Sequence, residues 1–101
     1  THPAYAAILG NLASTERLAG DFPAAIEHGD KALELRRASA GPTADGTLML
    51  MALAADVRRM AGRHAEALPM FEECRRLAAA ATPAQPANVY RCDLGLGRVL
   101  M

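Results

Sequence analysis

A pattern that returns at a fixed interval constrains a fold more than any local propensity, because every copy must meet its neighbours in the same way. In this chain the interval is 42 residues. Leu12-Ala13, Ala19-Gly20 and Ala25-Ile26 stand over Ala54-Ala55, Ala61-Gly62 and Ala67-Leu68. Arg17 stands over Arg59 and Ala32 over Cys74. A third copy opens near Pro86, where Leu96-Gly97 falls one interval beyond Ala54-Ala55, and the sequence runs to Met101. The 101 residues therefore hold about two and a half units, read as one domain: repeat 1 over 3–41, repeat 2 over 44–82 and the first helix of repeat 3 over 86–101.

Each unit reads as two helices. Over residues 4–19, Ile8, Leu9, Leu12, Thr15 and Ala19 recur at three- and four-residue steps, which predicts one buried helical face. Gly20-Asp21 closes this helix, since glycine tolerates the left-handed backbone that ends helices, and Pro23 sits where a new helix opens. The second helix, 22–39, turns Ala25, Ile26, Ala32, Leu33 and Leu35 inward and leaves Glu27 and Lys31 as an exposed pair. Gly41-Pro42 stops it. The second unit repeats the scheme: Asp45 or Thr47 as cap, a helix to Ala61, a turn at Gly62, a helix over 64–81 and a stop at Thr82-Pro83. The last helix covers 86–100. A short glycine turn makes neighbouring helices antiparallel. No single hairpin can hide its apolar face, so hairpins stack into a superhelix with a concave wall.

Composition agrees with close helix packing. Alanine occurs 23 times, aromatic residues four times, and tryptophan is absent. Eleven basic residues balance eleven acidic ones, so neither nucleic acid nor an anionic membrane surface is an expected partner. No apolar run approaches the ~20 residues a membrane-spanning helix needs; the run over 47–55 ends at Asp56, Arg58 and Arg59. The first residues show no secretion leader, and their lack of an initiator methionine suggests a piece of a longer protein. Cys74 and Cys92 follow no disulfide pattern, which sets a reducing cytoplasm as the expected compartment.

The residues at the repeat positions resemble the tetratricopeptide repeat family. Its pattern of Leu and a small residue, a turn glycine, then alanines and an aromatic appears as Leu12, Ala13, Gly20, Ala25 and Ala32. It returns as Ala54, Ala55, Gly62, Ala67, Phe71 and Cys74, and again as Leu96 and Gly97. The long interval, Asn11-Leu12-Ala13 and His2-Pro3 are similar to the variant found in kinesin light chains and bacterial regulatory proteins. The resemblance implies an all-α, right-handed solenoid of about five helices that binds proteins on its concave face. Departures are Glu16 and Arg58 where an aromatic is expected, Gly29 opposite Phe71, and Leu53 and Gly95 where Asn11 recurs in the family.

Chemistry-bearing clusters are sparse. His2, His28 and His64 have no second ligand at helical spacing, so no metal and no cofactor is expected. Cys74 occupies the buried alanine position and reads as core; Cys92 matches Ile8 and Leu50 and faces inward. Glu66, Glu72 and Glu73 read as a salted outer face, and Gly95-Leu96-Gly97 lacks the context of a phosphate loop. The chain is therefore not expected to be an enzyme. The candidate site is the concave wall: Asn11, Ser14 and Arg17, then Met49, Leu53, Asp56 and Arg59, then Arg91, Leu94 and Arg98, with Ala7, Gly10 and Ala52 between them. Arg17, Arg59 and Arg98 read as a basic ladder separated by Met49, Leu53 and Leu94, suited to a protein or peptide segment with acidic and apolar side chains. Two alternatives stand. The arginines are solvated and paired with Asp56, Glu16 or Asp93, or the repeats are a regulatory segment of a larger bacterial signalling protein, such as a transcription activator or kinase. Tyr90, Leu94 and Val99 on the last helix would leave an uncapped end through which two copies could pair.

Overall fold

In a computed structural model, which describes residues 3–81, 83 and 85–100, the chain is five helices in a slab of 37 × 35 × 18 Å. They are α1 (Pro3–Ala19), α2 (Phe22–Ala40), α3 (Asp45–Met60), α4 (His64–Ala80) and α5 (Pro86–Leu100). Every helix falls within about a residue of its sequence expectation, and no strand occurs among the described residues. His2, Thr82 and Met101 lie outside those residues. Each helix packs on the next in chain order, and α3 also touches α1 and α5. This is the contact pattern of stacked hairpins.

The two hairpin turns are alike because their glycines are. Gly20 and Gly62 both take φ +83°, where a side chain would be strained, and each follows its helix by one or two residues. Asp21 then caps α2 by accepting a hydrogen bond from the Ala24 amide at 3.4 Å, with Pro23 in the first turn. The expected cap on α3 is not formed. Ala44 holds the cap position, Asp45 is the first helical residue, and Thr47 is fully buried with its hydroxyl unpartnered. Position explains this: a capping side chain must precede the helix, and Asp45 and Thr47 are already inside it.

The core is built from small side chains at the helix crossings. Ala13, Ala25, Ala32, Ala54, Ala55 and Ala67 are all fully buried. Leu48, Met51, Val57 and Phe71 supply the bulk between them. The buried face of α1 differs from the sequence expectation: Ala6, Leu9 and Ala13 are inside, while Ile8 is 60% and Leu12 40% exposed, with Thr15 and Ala19 beside them. One interval on, the equivalents of Ile8 and Leu12 are Leu50 and Ala54, buried in α3 where the preceding hairpin's second helix lies. Among the described residues, α1 has helix contacts only with α2 and α3.

Charge ties the hairpins where the family pattern would place an aromatic. Arg58 of α3 forks onto Asp30 of α2 at 2.6 and 2.8 Å and reaches Glu66 of α4 at 3.5 Å. Its guanidinium is mostly buried, and the Asp30 hydrogen bonds hold it even more firmly protonated than an ordinary arginine. One interval earlier, Glu16 accepts a hydrogen bond from His28 Nδ1 at 2.7 Å, which joins α1 to α2. Asn88, fully buried, donates to the Asp45 carboxylate at 2.8 Å and so anchors α5 to the start of α3.

The cysteines depart from expectation. Cys74 of α4 and Cys92 of α5 are joined by a disulfide, with Cα atoms 6.0 Å apart and both residues fully buried. Cys74 does occupy the buried alanine position, but it is a cross-link as well as core. Stacking is the reason: it brings the second helix of one unit against the first helix of the next, so two residues without a spacing signature become neighbours. The bond removes the ground on which a reducing compartment was expected.

Candidate interaction groove

The first helices α1, α3 and α5 share one wall, and along it runs a groove of about 490 Å³. From α1 it is lined by Ala7, Gly10, Asn11, Ser14 and Arg17. From α3 come Met49, Ala52, Leu53 and Asp56, and from α5 come Arg91, Leu94 and Arg98. Of the ten residues singled out on the wall, only Arg59 is not part of the lining. Glycine sets the depth. A Cβ on Gly10 would come within 2.9 Å of Leu50 Cδ2, and one on Gly95 within 2.1 Å of the Phe71 ring, so close packing at both places depends on having none.

The floor is apolar and adaptable. Met49 and Leu94 stand 46% and 41% exposed, Leu53 is half-buried between them, and the edge of buried Phe71 shows at the base. Unbranched methionine and flexible leucine rotamers fit apolar guests of varied shape.

The basic ladder is not what the structure forms. Asp56 accepts from Arg17 Nη1 at 2.7 Å through one carboxylate oxygen and from Arg59 Nε at 2.8 Å through the other. All three side chains are largely buried, so one carboxylate is shared by two cations, and Arg17 Nε keeps no hydrogen-bond partner. Arg98 lies one interval beyond Asp56, not beyond Arg59, which places it in another row of the wall. Of the alternative reading, the pairing with Asp56 is present for Arg17 and Arg59, but the two side chains are largely buried instead of solvated. Asp93 pairs with Arg75 on the outer surface, and Glu16 with His28.

Sequence reasoning missed Arg36. It belongs to a second helix, α2, and its guanidinium reaches the groove across Gly46, near the start of α3. Adjacent arginines are no signal by themselves, since Arg75 and Arg76 of α4 are also neighbours and both are exposed. Arg37 is exposed and Arg36 half-buried.

His28 and His64 lie outside the lining, and no group of three or more His, Cys, Asp or Glu among the described residues could hold a metal ion. No helix among them is long and apolar enough to cross a membrane.

A tetratricopeptide repeat family model matches residues 4–80, which takes in both complete hairpins, and no curated protein matches the chain. The chain belongs to the tetratricopeptide repeat family.

Proposed function

We infer that the groove takes a protein segment bearing apolar and acidic side chains, and that the chain performs no chemistry of its own. Tetratricopeptide repeat domains generally mediate protein–protein contacts and are typically non-catalytic. The observation that carries the finer reading is the lining itself. A chain with no net charge concentrates four arginines and one aspartate around an apolar floor. Apolar area provides the affinity of such a contact, and the charges select and orient the partner.

Selection of a displayed random peptide library on the immobilised chain tests this. Selected peptides are expected to bind competitively and to lose binding on Met49→Asp or Leu94→Asp. Both side chains are substantially exposed, so these changes leave the core alone. Peptides that bind both variants unchanged would place the interaction elsewhere.

A second reading, a regulatory segment of a larger bacterial protein that pairs with its own chain or with another copy, draws support from α5. Tyr90 is 69% and Leu100 72% exposed there. Sedimentation of wild type against Tyr90→Ser discriminates: a concentration-dependent dimer lost in the variant supports it, and a monomer at all concentrations opposes it.

A further inference from the structure

We propose that the apolar face left open on α1 receives the last helix, α5, of a second copy of this chain, so that copies join end to end. The proposal rests on the reading that copies pair through α5 and adds the surface that takes it.

The internal repeat shows what the α1 face is built for. Tyr5, Ile8, Leu12 and Thr15 form one stripe of α1, and all four are exposed. One interval on, Thr47, Leu50, Ala54 and Val57 form the same stripe of α3, and all four are buried. Leu50 and Ala54 share a core cluster with Ala32 and Leu33 of α2. A further interval on, Cys92 of α5 is buried against α4, to whose Cys74 it is joined. In both later copies, therefore, a helix lies on this stripe.

Charge decides which helix fits. Beside the α1 stripe, α2 presents Glu27 and Glu34 along a shallow groove of about 560 Å³ that also takes in Tyr5. Both acids are exposed, and Lys31 between them makes one long contact of 3.8 Å with Glu34, so this edge is acidic on balance. A helix of the α2 kind is excluded by its own charge. Asp30 of α2 meets Arg58 of α3, and α4 carries Glu72 at the position matching Asp30, but α1 holds Glu16 where α3 has Arg58. Acid would then face acid.

The last helix has the opposite character. At ~100° per residue, Tyr90, Leu94 and Gly97 lie within about 60° of one another on α5, with Arg91 and Arg98 along one edge. Tyr90 is 69% and Leu94 41% exposed, and both arginines are exposed. A Cβ on Gly97 would meet nothing within 4 Å, which leaves room for an incoming side chain. The two arginines stand seven residues apart, roughly 10 Å along the axis, and so do Glu27 and Glu34 on α2. An α5 laid along α1 therefore sets two cations over two acids while its apolar stripe covers Ile8 and Leu12. Donor and acceptor are different patches, so each pair keeps one of each free and assembly continues. Arg91, Leu94 and Arg98 also line the groove, so a neighbouring copy and a groove-bound segment draw on the same side chains.

A mixing experiment, read by sedimentation velocity, tests this. Ile8→Asp spoils the acceptor and Tyr90→Asp the donor; both side chains are largely exposed, so both variants should keep the wild-type melting temperature. Wild type is expected to associate as concentration rises, and each variant alone to stay monomeric. Mixed in equal amounts, the two should form a one-to-one complex, since the intact α5 of the first meets the intact α1 of the second. Reversing the acids with Glu27→Lys and Glu34→Lys should weaken self-association about tenfold. Adding a copy with Arg91→Glu and Arg98→Glu should recover it. These reversals alter exposed side chains alone and test the same contact if an apolar variant loses stability.

An Ile8→Asp protein that self-associates like wild type overturns the α1 docking and leaves pairing through α5 intact. Self-association of Tyr90→Asp alone overturns it too, because α1 would then be pairing with α1. Two variants that stay monomeric when mixed also refute it. A wild type that is monomeric at all concentrations overturns both the docking and the pairing on which it rests, and leaves the α1 face to a different protein.

Discussion

At the scale of residues, charge placement separates the positions that hold the fold from those left open to a partner. Asp56, Asp30 and Glu16 each face a basic group of another helix, and Asp56 is shared by Arg17 and Arg59. His28 carries a pH dependence that can be measured. Its hydrogen bond to Glu16 is the main influence raising its pKa above the ordinary 6.5; burial opposes it, and the charges of Glu16, Glu27 and Asp21 add to the rise. A group whose folded pKa is raised contributes stability that is complete below its unfolded pKa and fades as pH climbs through the folded value. Melting temperature is therefore expected to fall between pH 6 and pH 8.5 in wild type, with a smaller fall in Glu16→Gln. An identical pH profile in the two proteins would show that the pair does not couple to folding.

This is also the scale at which the sequence was least legible. The wall residues could be located because first helices recur with a period, yet whether an arginine was free or spent depended on a carboxylate from another helix. Arg36 went unseen because reaching the groove from a second helix depends on the missing side chain at Gly46, which only the packed structure reveals.

At the scale of elements, helix bounds were legible almost to the residue, because turn glycines and apolar periodicity are local signals. Which face of α1 is buried was not. Ile8 and Leu12 carry the apolar periodicity of a covered face, but what covers such a face is a neighbouring hairpin. Two glycines of α5 show how context decides the sign of one substitution. Gly97→Ala meets nothing within 4 Å and should gain up to about 1 kcal/mol from helix propensity. Gly95→Ala drives a methyl into the ring of buried Phe71 and should cost about 1–3 kcal/mol after that gain is offset. Urea denaturation of the two variants checks the contrast. Equal shifts would mean that α5 does not seat on Phe71 as described.

At the scale of the molecule, the last helix is held by three devices: apolar seating on α4, the Asn88 anchor to α3 and the Cys74–Cys92 bond. The bond closes a loop of 18 residues, for which chain-entropy arguments give about 3 kcal/mol. Reduction should lower the urea midpoint of wild type and leave a Cys74→Ala/Cys92→Ala protein unmoved. Two reactive thiols in the denatured, unreduced protein would contradict the cross-link. Because α5 supplies Arg91, Leu94 and Arg98 to one side of the groove, peptide binding by the reduced protein reports how much of the binding surface depends on the bond. Repeat architecture was legible at this scale because it rests on a fixed interval. The cross-link was not, since it joins positions that become neighbours only when hairpins stack.

The claim on which the functional account turns is that the wall of first helices is where a protein partner lies. Amide chemical-shift mapping on the isotopically labelled chain, with a selected acidic peptide added, tests it most directly. Perturbations are predicted to centre on Gly46, Met49, Leu53, Leu94 and Gly95, with the Arg36 side-chain Nε–H signal moving as well. Perturbations centred on Tyr5, Ile8 and Leu12, or on Tyr90 and Leu100, with the groove silent, would contradict the account.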